Sequence, residues 1–142
     1  MIKNNLYEIL IKEHHLDTFG HVNNAVYLQL FEEARWDYIT RRGYGMKEVL
    51  KFQKGPVILE AHIKFLKELS LRETVKITFE PVVLNNLGQM INLKSKIIQV
   101  RQKMLKSNGD ISSELLITIG FFDLVHRKLI SPTDEWLKVL ND

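Results

Sequence analysis

Hydrophobic positions in the first third of the chain change from the spacing of a strand to that of a helix. The stretch Leu6–His14 is rich in apolar and β-branched residues, which predicts a first β-strand. From Ala25 to about Arg42, apolar residues recur at helical spacing on one face, which predicts a long amphipathic helix. Gly43 then acts as a helix stop, and Met46–Phe52 has the pattern of a second, short helix.

After Pro56 the apolar spacing changes to that of a β-strand. The odd-numbered apolar positions in Val57–Phe65 share one face of a predicted strand, and those in Val75–Phe79 share one face of the next. Leu87-Gly88 then predicts a turn.

The fourth predicted strand is long and irregular. Ile91, Leu93 and Ile97 mark its apolar face. The alternation slips at Ile98 and Val100, which predicts a β-bulge there.

The last part of the chain predicts a hairpin followed by a short helix. Asn108-Gly109 is a strong hairpin signal before a fifth strand. The apolar face of that strand consists of Leu115, Ile117, Ile119 and Phe121. Pro132 and Thr133 introduce a C-terminal helix whose apolar side carries Trp136, Leu137 and Leu140.

The order of elements predicts a single domain of the α+β class that spans residues 1–142. In such a domain, a curved, five-stranded antiparallel sheet wraps around the long helix, and the apolar faces bury each other. One helix cannot cover both faces of the sheet. We therefore expect a homodimer that joins edge strands or covers the open face, and this dimer can pair further into a dimer of dimers.

Composition narrows the possible classes of protein. Apolar residues make up 45% of the chain and charged residues 26%, which is typical of a globular domain. The absence of cysteine excludes disulfides, thiol nucleophiles and thiolate metal sites. The densest apolar run, Leu115–Phe122, is too short for a membrane span, and the first residues lack the pattern of a secretory signal. We expect a cytoplasmic protein that does not cross a membrane.

The net charge of +3 does not indicate a nucleic-acid partner. No basic tract or aromatic ladder gathers the positive side chains, which are spread over separate predicted strands. Representative examples are Lys12, Lys64, Lys76, Lys94, Lys96 and Arg101.

A polar loop, DTFGHVNNAVY, precedes the long helix and begins at Asp17. Each of its residues has a structural interpretation: Asp17 closes an Asx turn, Gly20 supplies a positive φ, and Asn23 or Asn24 caps the helix. Together they also suit carbonyl chemistry, since free N–H groups at a helix N-terminus stabilise an oxyanion. Asp17 would then act as a base on water or as a direct nucleophile, and His21 would orient that water or hydrogen-bond the carboxylate.

The stretch DTFGHVNNAVYLQLFEEAR resembles the signature of the 4-hydroxybenzoyl-CoA thioesterase group of hotdog-fold proteins, in its HVNN form. It is also similar to the repeats of plant acyl-ACP thioesterases. The resemblance implies the hotdog fold and hydrolysis of an acyl thioester of CoA or acyl carrier protein. It covers essentially the whole chain through the element order, but it does not name the acyl group.

The resemblance also implies roles for individual residues. Asp17 matches the catalytic carboxylate, and the backbone N–H of Asn24 matches the group that binds the thioester carbonyl. In the plant-type relatives the histidine at the place of His21 and an acidic residue in a later segment take part, and IKFLKE puts Glu68 there. Phe19 departs from the plant-type asparagine at its position.

Further residues are candidates for substrate binding. Asn23 would fix the loop, while the aromatic side chains either line an acyl pocket or belong to the core: Tyr27, Phe31 and Phe65. A coenzyme tail would rest on Arg101 and Lys103.

We expect neither a cofactor nor a metal. His14 and His15 would point to opposite faces of a strand, and the other histidines have no partner at ligand spacing.

Three functions compete. The leading hypothesis is an acyl-CoA or acyl-ACP thioesterase, and the runner-up is a non-catalytic acyl-CoA binding or regulatory module on the same fold. A dehydratase acting on a hydroxyacyl thioester would pair a histidine with Glu32 or Glu33, which the HVNN loop fits less well.

Overall fold

A computed structural model of the chain describes residues 6–83 and 85–141. Three helices and seven strands occur in this part of the chain. The helices are α1 (Asn24–Arg41), α2 (Met46–Phe52) and α3 (Asp134–Asn141). The strands are β1 (Tyr7–Leu10), β2 (Lys54–Phe65), β3 (Thr74–Ile77), β4 (Glu80–Pro81), β5 (Ile97–Leu105), β6 (Ile111–Asp123) and β7 (Lys128–Ile130).

All strands belong to one antiparallel sheet. Its main path runs β1-β3-β5-β6-β2, and the short strands β4 and β7 pair with β5 and β6. The five strands of the main path agree with the predicted sheet, and β4 and β7 are additions of two and three residues. The long pairs β5–β6 and β6–β2 form the centre and one edge of the sheet.

The core lies between α1 and the inner face of the sheet. One stripe of α1 is buried: Tyr27, Leu30, Phe31, Ala34, Tyr38 and Ile39. It packs against alternate residues of the central strands, among them Val100, Met104, Leu115, Ile117 and Phe121. The predicted long helix and the apolar face of the fifth strand are therefore confirmed. The short helix α3 adds Trp136, Val139 and Leu140 to the core, so Val139 takes the place predicted for Leu137.

The first strand is shorter than predicted. It ends at Leu10, and a 3₁₀ turn follows at Glu13–His15. The ring centroids of His14 and His15 lie 4.1 Å apart, so the prediction that they point to opposite faces of a strand is wrong. The physical reason is local, because the His15 ring accepts a hydrogen bond from the Lys12 N–H and closes the turn.

The fourth long strand, β5, begins only at Ile97. Asn92 closes a turn by accepting the Lys94 N–H, so the predicted strand at Ile91 and Leu93 does not form. The pairing with β6 is regular past Ile98, and the predicted bulge there is wrong.

Two irregularities of register occur elsewhere in the sheet. One lies at Met104/Leu105 and the other between Ile58 and Glu60. The second leaves Leu59 without a counterpart on β6, so the strict alternation predicted for Val57–Phe65 is interrupted.

No helix within residues 6–83 and 85–141 is both long and apolar enough to cross a bilayer.

Candidate active site

The polar loop ahead of α1 is closed by the Asp17 carboxylate. Asp17 Oδ1 accepts the backbone N–H groups of Phe19 at 2.8 Å and His21 at 3.4 Å. The Asp17 N–H donates to the His21 carbonyl at 2.8 Å, and Gly20 adopts a φ of 80° at the tip. The predicted Asx turn and positive-φ glycine are both confirmed. Asp17 Oδ2 has no hydrogen-bond partner among the described residues.

Asn23 is the N-cap of α1. Its side-chain Oδ1 accepts the Ala25 N–H at 2.9 Å, and its own N–H donates to the His15 carbonyl at 3.3 Å. Burial lowers the pKa of the His15 imidazole, helped by the neighbouring His14, and favours its neutral form. Only the neutral ring can accept the Lys12 N–H. The segment that precedes the polar loop is therefore held by a hydrogen bond that involves no charged group.

Asn24 is the first residue of α1. The N–H of a first helical residue has no intrahelical acceptor, and the Asn24 N–H finds none elsewhere among residues 6–83 and 85–141. The aligned peptide dipoles also give this end of α1 a partial positive charge. The Asn24 amide is therefore available to an oxygen atom of a ligand.

An open cleft of about 240 Å³ lies at this end of α1, and Asn24 is part of its lining. Its walls consist of His21, Val22, Asn24, Tyr27, Phe65, Leu66, Lys67 and Glu68. The structure thus brings together five of the predicted site residues, although they come from two separate segments of the chain. Asp17 is not part of this wall.

The side chains of His21 and Glu68, which both line the cleft, are in direct contact. His21 Nε2 lies 2.7 Å from Glu68 Oε2, and the two side chains expose 56% and 69% of their surface. This contact joins the loop before α1 to the loop after β2. An imidazole paired with a carboxylate can hold and transfer a proton.

The loop that carries Glu68 is held in place by contacts with the β5–β6 hairpin. Lys106 Nζ donates to the Glu68 carbonyl and lies 3.5 Å from Glu73 Oε2. Lys106 and Glu73 expose only 14% and 10% of their side chains. Burial raises the pKa of Glu73, but hydrogen bonds from the Ser70 and Ser107 backbone N–H groups and the contact with Lys106 outweigh it, so the pKa is lowered and the Glu73 carboxylate stays ionised.

The three predicted aromatic residues occupy two different places. The rings of Tyr27 and Phe65 meet edge to face at 5.2 Å and form the apolar wall of the cleft. Burial raises the pKa of Tyr27, which keeps its hydroxyl neutral. Phe31 is fully buried in the core, so the structure does not bring it to the cleft.

Arg101 and Lys103 lie on the outer face of the sheet. Their neighbour Gln102 points inward and donates to the Phe31 carbonyl, so these two alternate side chains of β5 point the other way. Arg101 lines a separate cleft of about 120 Å³ with His62, Lys64, Glu114 and Leu116. Its Nε lies 3.4 Å from Glu114 Oε1. The structure therefore does not place Arg101 or Lys103 in the cleft at the start of α1.

A second cavity on the inner side of the sheet was not predicted. It has a volume of about 160 Å³ and is lined by Glu32, Arg35, Trp36, Ile39, Pro56, Ile58, Phe79 and Ile119. The signal for it in the sequence is a second helical stripe that runs beside the buried one at four-residue spacing. That stripe comprises Asn24, Leu28, Glu32 and Trp36.

A long helix against an antiparallel sheet, with a polar cleft at the helix N-terminus, defines the hotdog thioesterases as the class of this protein. Residues 11–140 match the model of the thioesterase-like superfamily, and the chain belongs to that superfamily. The predicted hotdog fold is confirmed by solved structures that share it. The protein is a thioester hydrolase.

Individual relatives agree with this assignment. The long-chain acyl-CoA thioesterase FadM of Escherichia coli K12 is 27% identical over 128 residues, which are 90% of each chain. The chloroplastic acyl-acyl carrier protein thioesterase ATL3 of Arabidopsis thaliana is 34% identical over 62 residues, 44% of this chain and 33% of that one. The structure of SAV2348 from Staphylococcus aureus in complex with CoA superposes with a TM-score of 0.83 at 18% identity, covering 98% of this chain and 83% of that one.

Proposed function

We propose that this protein hydrolyses acyl-CoA thioesters and that the Asn24 N–H holds the thioester carbonyl. The observation that carries the proposal is that Asn24, whose N–H has no acceptor among the described residues, lines a cleft that also contains the His21–Glu68 pair. An amide aimed at the carbonyl oxygen stabilises the oxyanion that develops during attack. The apolar wall of Tyr27 and Phe65 receives the first part of the acyl chain.

Hydrolysis needs a carboxylate that activates the attacking group. As a base, Asp17 would take a proton from water through its free Oδ2, while Oδ1 keeps the loop closed. The water oxygen then bonds to the carbonyl carbon, the carbon–sulfur bond breaks and the thiolate leaves with a proton. As a nucleophile, the Asp17 carboxylate would instead attack the carbonyl carbon, break the carbon–sulfur bond to release the thiolate, and form a mixed anhydride that water later cleaves to the free acid and Asp17. Glu68, paired with His21, is the second carboxylate suited to the base role.

CoA is the proposed carrier of the acyl group. The relatives support it, since one is an acyl-CoA thioesterase and another structure holds CoA. Acyl carrier protein is the alternative carrier, as in the chloroplast relative. Arg101 and Lys103 remain candidates for the coenzyme tail only if the tail reaches the outer face of the sheet. We expect the protein in the cytoplasm.

Three variants separate the roles of the two carboxylates. Asp17→Asn keeps an Oδ1 that accepts the Phe19 and His21 N–H groups, so the loop stays closed while the charge is lost. Asp17→Ala removes both the Oδ1 acceptor and the charge. Glu68→Gln removes the carboxylate that contacts His21. Asp37→Asn makes the same chemical change at an exposed ion pair of α1 and serves as the control.

The measurement is thiol release from short, medium, long and aromatic acyl-CoAs, with thermal unfolding of each variant. We expect Asp17→Asn to lose about 100-fold or more in kcat at an unchanged Tm, as is typical for loss of a general base. If Asp17→Ala and Glu68→Gln lose activity while Asp17→Asn keeps it, Asp17 is a structural turn residue and Glu68 is the candidate base. A wild type that binds acyl-CoA without releasing thiol would establish the binding module instead.

We further propose that two chains pair through β2. This strand is an edge of the sheet, and several of its apolar side chains are about half exposed in the single chain: Ile58, Leu59 and Phe65. A long apolar edge is a surface that sheet proteins normally cover. A dimer formed there can associate further into a dimer of dimers.

A further inference from the structure

The second stripe of α1 connects the cleft to the inner cavity. Asn24, Leu28 and Glu32 follow one another at four-residue spacing and therefore lie on one face of the helix. Asn24 belongs to the wall of the cleft and Glu32 to the wall of the cavity, while Leu28 between them is partly exposed. This face of α1 thus extends from the cleft to the cavity, and the surface along it is called the groove below.

Residues of β2 line the cleft and the cavity at the two ends of this groove. Phe65 lies at the cleft end, and Ile58 and Pro56 lie at the cavity end. Phe65 and Ile58 expose 48% and 46% of their surface, so this side is apolar and accessible in the single chain. If the proposed hydrolysis of acyl thioesters is correct, a chain whose carbonyl sits on Asn24 lies along this groove.

The far end of the groove is not apolar, because Arg35 lines the cavity. Its Nη1 donates to Gln102 Oε1 at 3.1 Å, and Gln102 Nε2 donates to the Phe31 carbonyl at 3.1 Å. Gln102 is fully buried, so this relay fixes the guanidinium against the core. An arginine has five N–H donors, and no second acceptor for Arg35 occurs among the described residues.

Glu32 lies in the wall of the same cavity. Its carboxylate determines which oxygen-bearing group of an acyl chain, a carboxylate or a hydroxyl, can bind there. It forms no ion pair with Arg35 in the described part of the chain, although its charge counteracts the lowering of the Arg35 pKa by burial. A carboxylate in the cavity wall repels an acyl chain that ends in a carboxylate. The same carboxylate accepts a hydrogen bond from a hydroxyl group.

We propose that this cavity binds a hydroxyl group on the distal part of a medium or long acyl chain. An Arg35 N–H donates to the hydroxyl oxygen, and the hydroxyl hydrogen is donated to Glu32. Asn24 and Arg35 are 11 positions apart, or about 16 Å along the helix at 1.5 Å per residue. With roughly 1.3 Å of advance per carbon in an extended chain, the hydroxyl lies on the order of 12 carbons from the thioester.

The test compares three CoA thioesters of equal chain length: dodecanoyl, its ω-hydroxy derivative and its ω-carboxy derivative. For the wild type we expect kcat/KM to be about tenfold higher for the ω-hydroxy compound than for dodecanoyl, as for one hydrogen bond to a charged group. Arg35→Met keeps an apolar stem but no donor, and should abolish this preference while dodecanoyl turnover persists. Arg41→Met, an exposed arginine of the same helix, is the matched control.

A second variant tests the part assigned to Glu32. Glu32→Gln keeps an acceptor for the hydroxyl and removes the charge, so it should improve turnover of the ω-carboxy compound and retain the preference for ω-hydroxy. Equal kcat/KM of the wild type for dodecanoyl and ω-hydroxydodecanoyl would overturn the proposal. So would an equal loss on all three substrates in Arg35→Met, since that result is expected of a structural arginine.

Binding of the free acids separates this inference from the proposed hydrolysis. Calorimetry measures the affinity of wild type and Arg35→Met for dodecanoic acid and ω-hydroxydodecanoic acid, with no turnover required. Tighter binding of the hydroxy acid to the wild type alone supports the cavity assignment even if no thiol is released. Thiol release without discrimination between the acids supports hydrolysis and overturns the cavity assignment.

Discussion

The two oxygens of the Asp17 carboxylate have different environments. Oδ1 closes the loop through two backbone N–H groups, whereas Oδ2 has no partner in the described residues. A carboxylate held in this way has a fixed orientation before any substrate arrives. Preorganisation of this kind lowers the cost of reaching the geometry needed for attack.

A second aspartate, Asp123, makes the stability of the folded state depend on pH in the acid range. Its side chain accepts hydrogen bonds from the His126 ring at 2.9 Å and from two backbone N–H groups of the β6–β7 turn. The bond to the His126 side chain comes first among the contacts that lower the pKa of Asp123 from 3.8 to about 2. The unfolded chain binds this proton at a higher pH than the folded chain does.

The folded state should therefore lose stability as the pH falls from about 4 toward 2, and the Asp123 contribution is present in full above that window. Asp123→Asn removes the titrating group and should flatten this part of the curve. Chemical unfolding at a series of acid pH values provides the measurement. An unchanged slope in Asp123→Asn would contradict the assignment.

Residues of the site differ in how far the sequence could predict them. Asn23 as a cap and Asp17 as a turn residue follow from local rules, because their partners are two to four positions away. Glu68 comes only from the resemblance, since its contact with His21 spans 47 positions and depends on the tertiary fold. Arg35 was missed because its partner Gln102 lies on a distant strand.

At the scale of elements, the loop after β2 depends on the β5–β6 hairpin for its position. Lys106 links Glu73 to the Glu68 carbonyl within a nearly buried contact. Removing one partner of such a contact leaves the other charge without compensation.

Lys106→Met should therefore lower the free energy of unfolding by about 2 kcal/mol and also reduce kcat, because the Glu68 loop is released. The measurements are urea unfolding and steady-state thiol release, the latter at a temperature where the variant is fully folded. Lys138→Met, at an exposed position of α3, is the control. A drop in stability with normal kcat would show that Glu68 does not need this support.

Elements with an uninterrupted periodic pattern could be predicted, and those defined by side-chain turns could not. α1 and β6 agree with their apolar patterns because burial of one face decides their conformation, and α2 forms where predicted although none of its residues is buried. The 3₁₀ turn after β1 and the late start of β5 depend on backbone N–H groups that donate to the side chains of His15 and Asn92, and these hydrogen bonds compete with strand pairing. The register shift at Leu59 follows from pairing with β6 and has no local signal.

At the scale of the whole molecule, the edge strand β2 should determine the oligomeric state. Leu59→Lys places a charge on the apolar edge and should shift the expected dimer toward monomer. Val125→Lys is a matched control, because Val125 is also an exposed apolar residue but lies in the turn after β6. Light scattering during size-exclusion chromatography measures the mass. A monomeric wild type, or a dimer unaffected by Leu59→Lys, would rule out β2 as the interface.

The proposed hydrolysis depends on one backbone amide, that of Asn24. Proline is well tolerated at the first position of a helix, and Asn23 already has the extended conformation that precedes proline, with φ −63° and ψ 142°. Asn24→Pro therefore removes the N–H with little disturbance of the fold, whereas Asn24→Ala removes only the side chain and keeps the N–H.

The most direct measurement is the rate of thiol release by these two variants from an acyl-CoA that the wild type hydrolyses. The Tm of each variant verifies that it is folded. We expect Asn24→Pro to lose about 100-fold or more in kcat, as for loss of an oxyanion donor, and Asn24→Ala to stay close to the wild type. Equal activity of Asn24→Pro and Asn24→Ala would contradict this expectation, because the thioester carbonyl would then be held elsewhere.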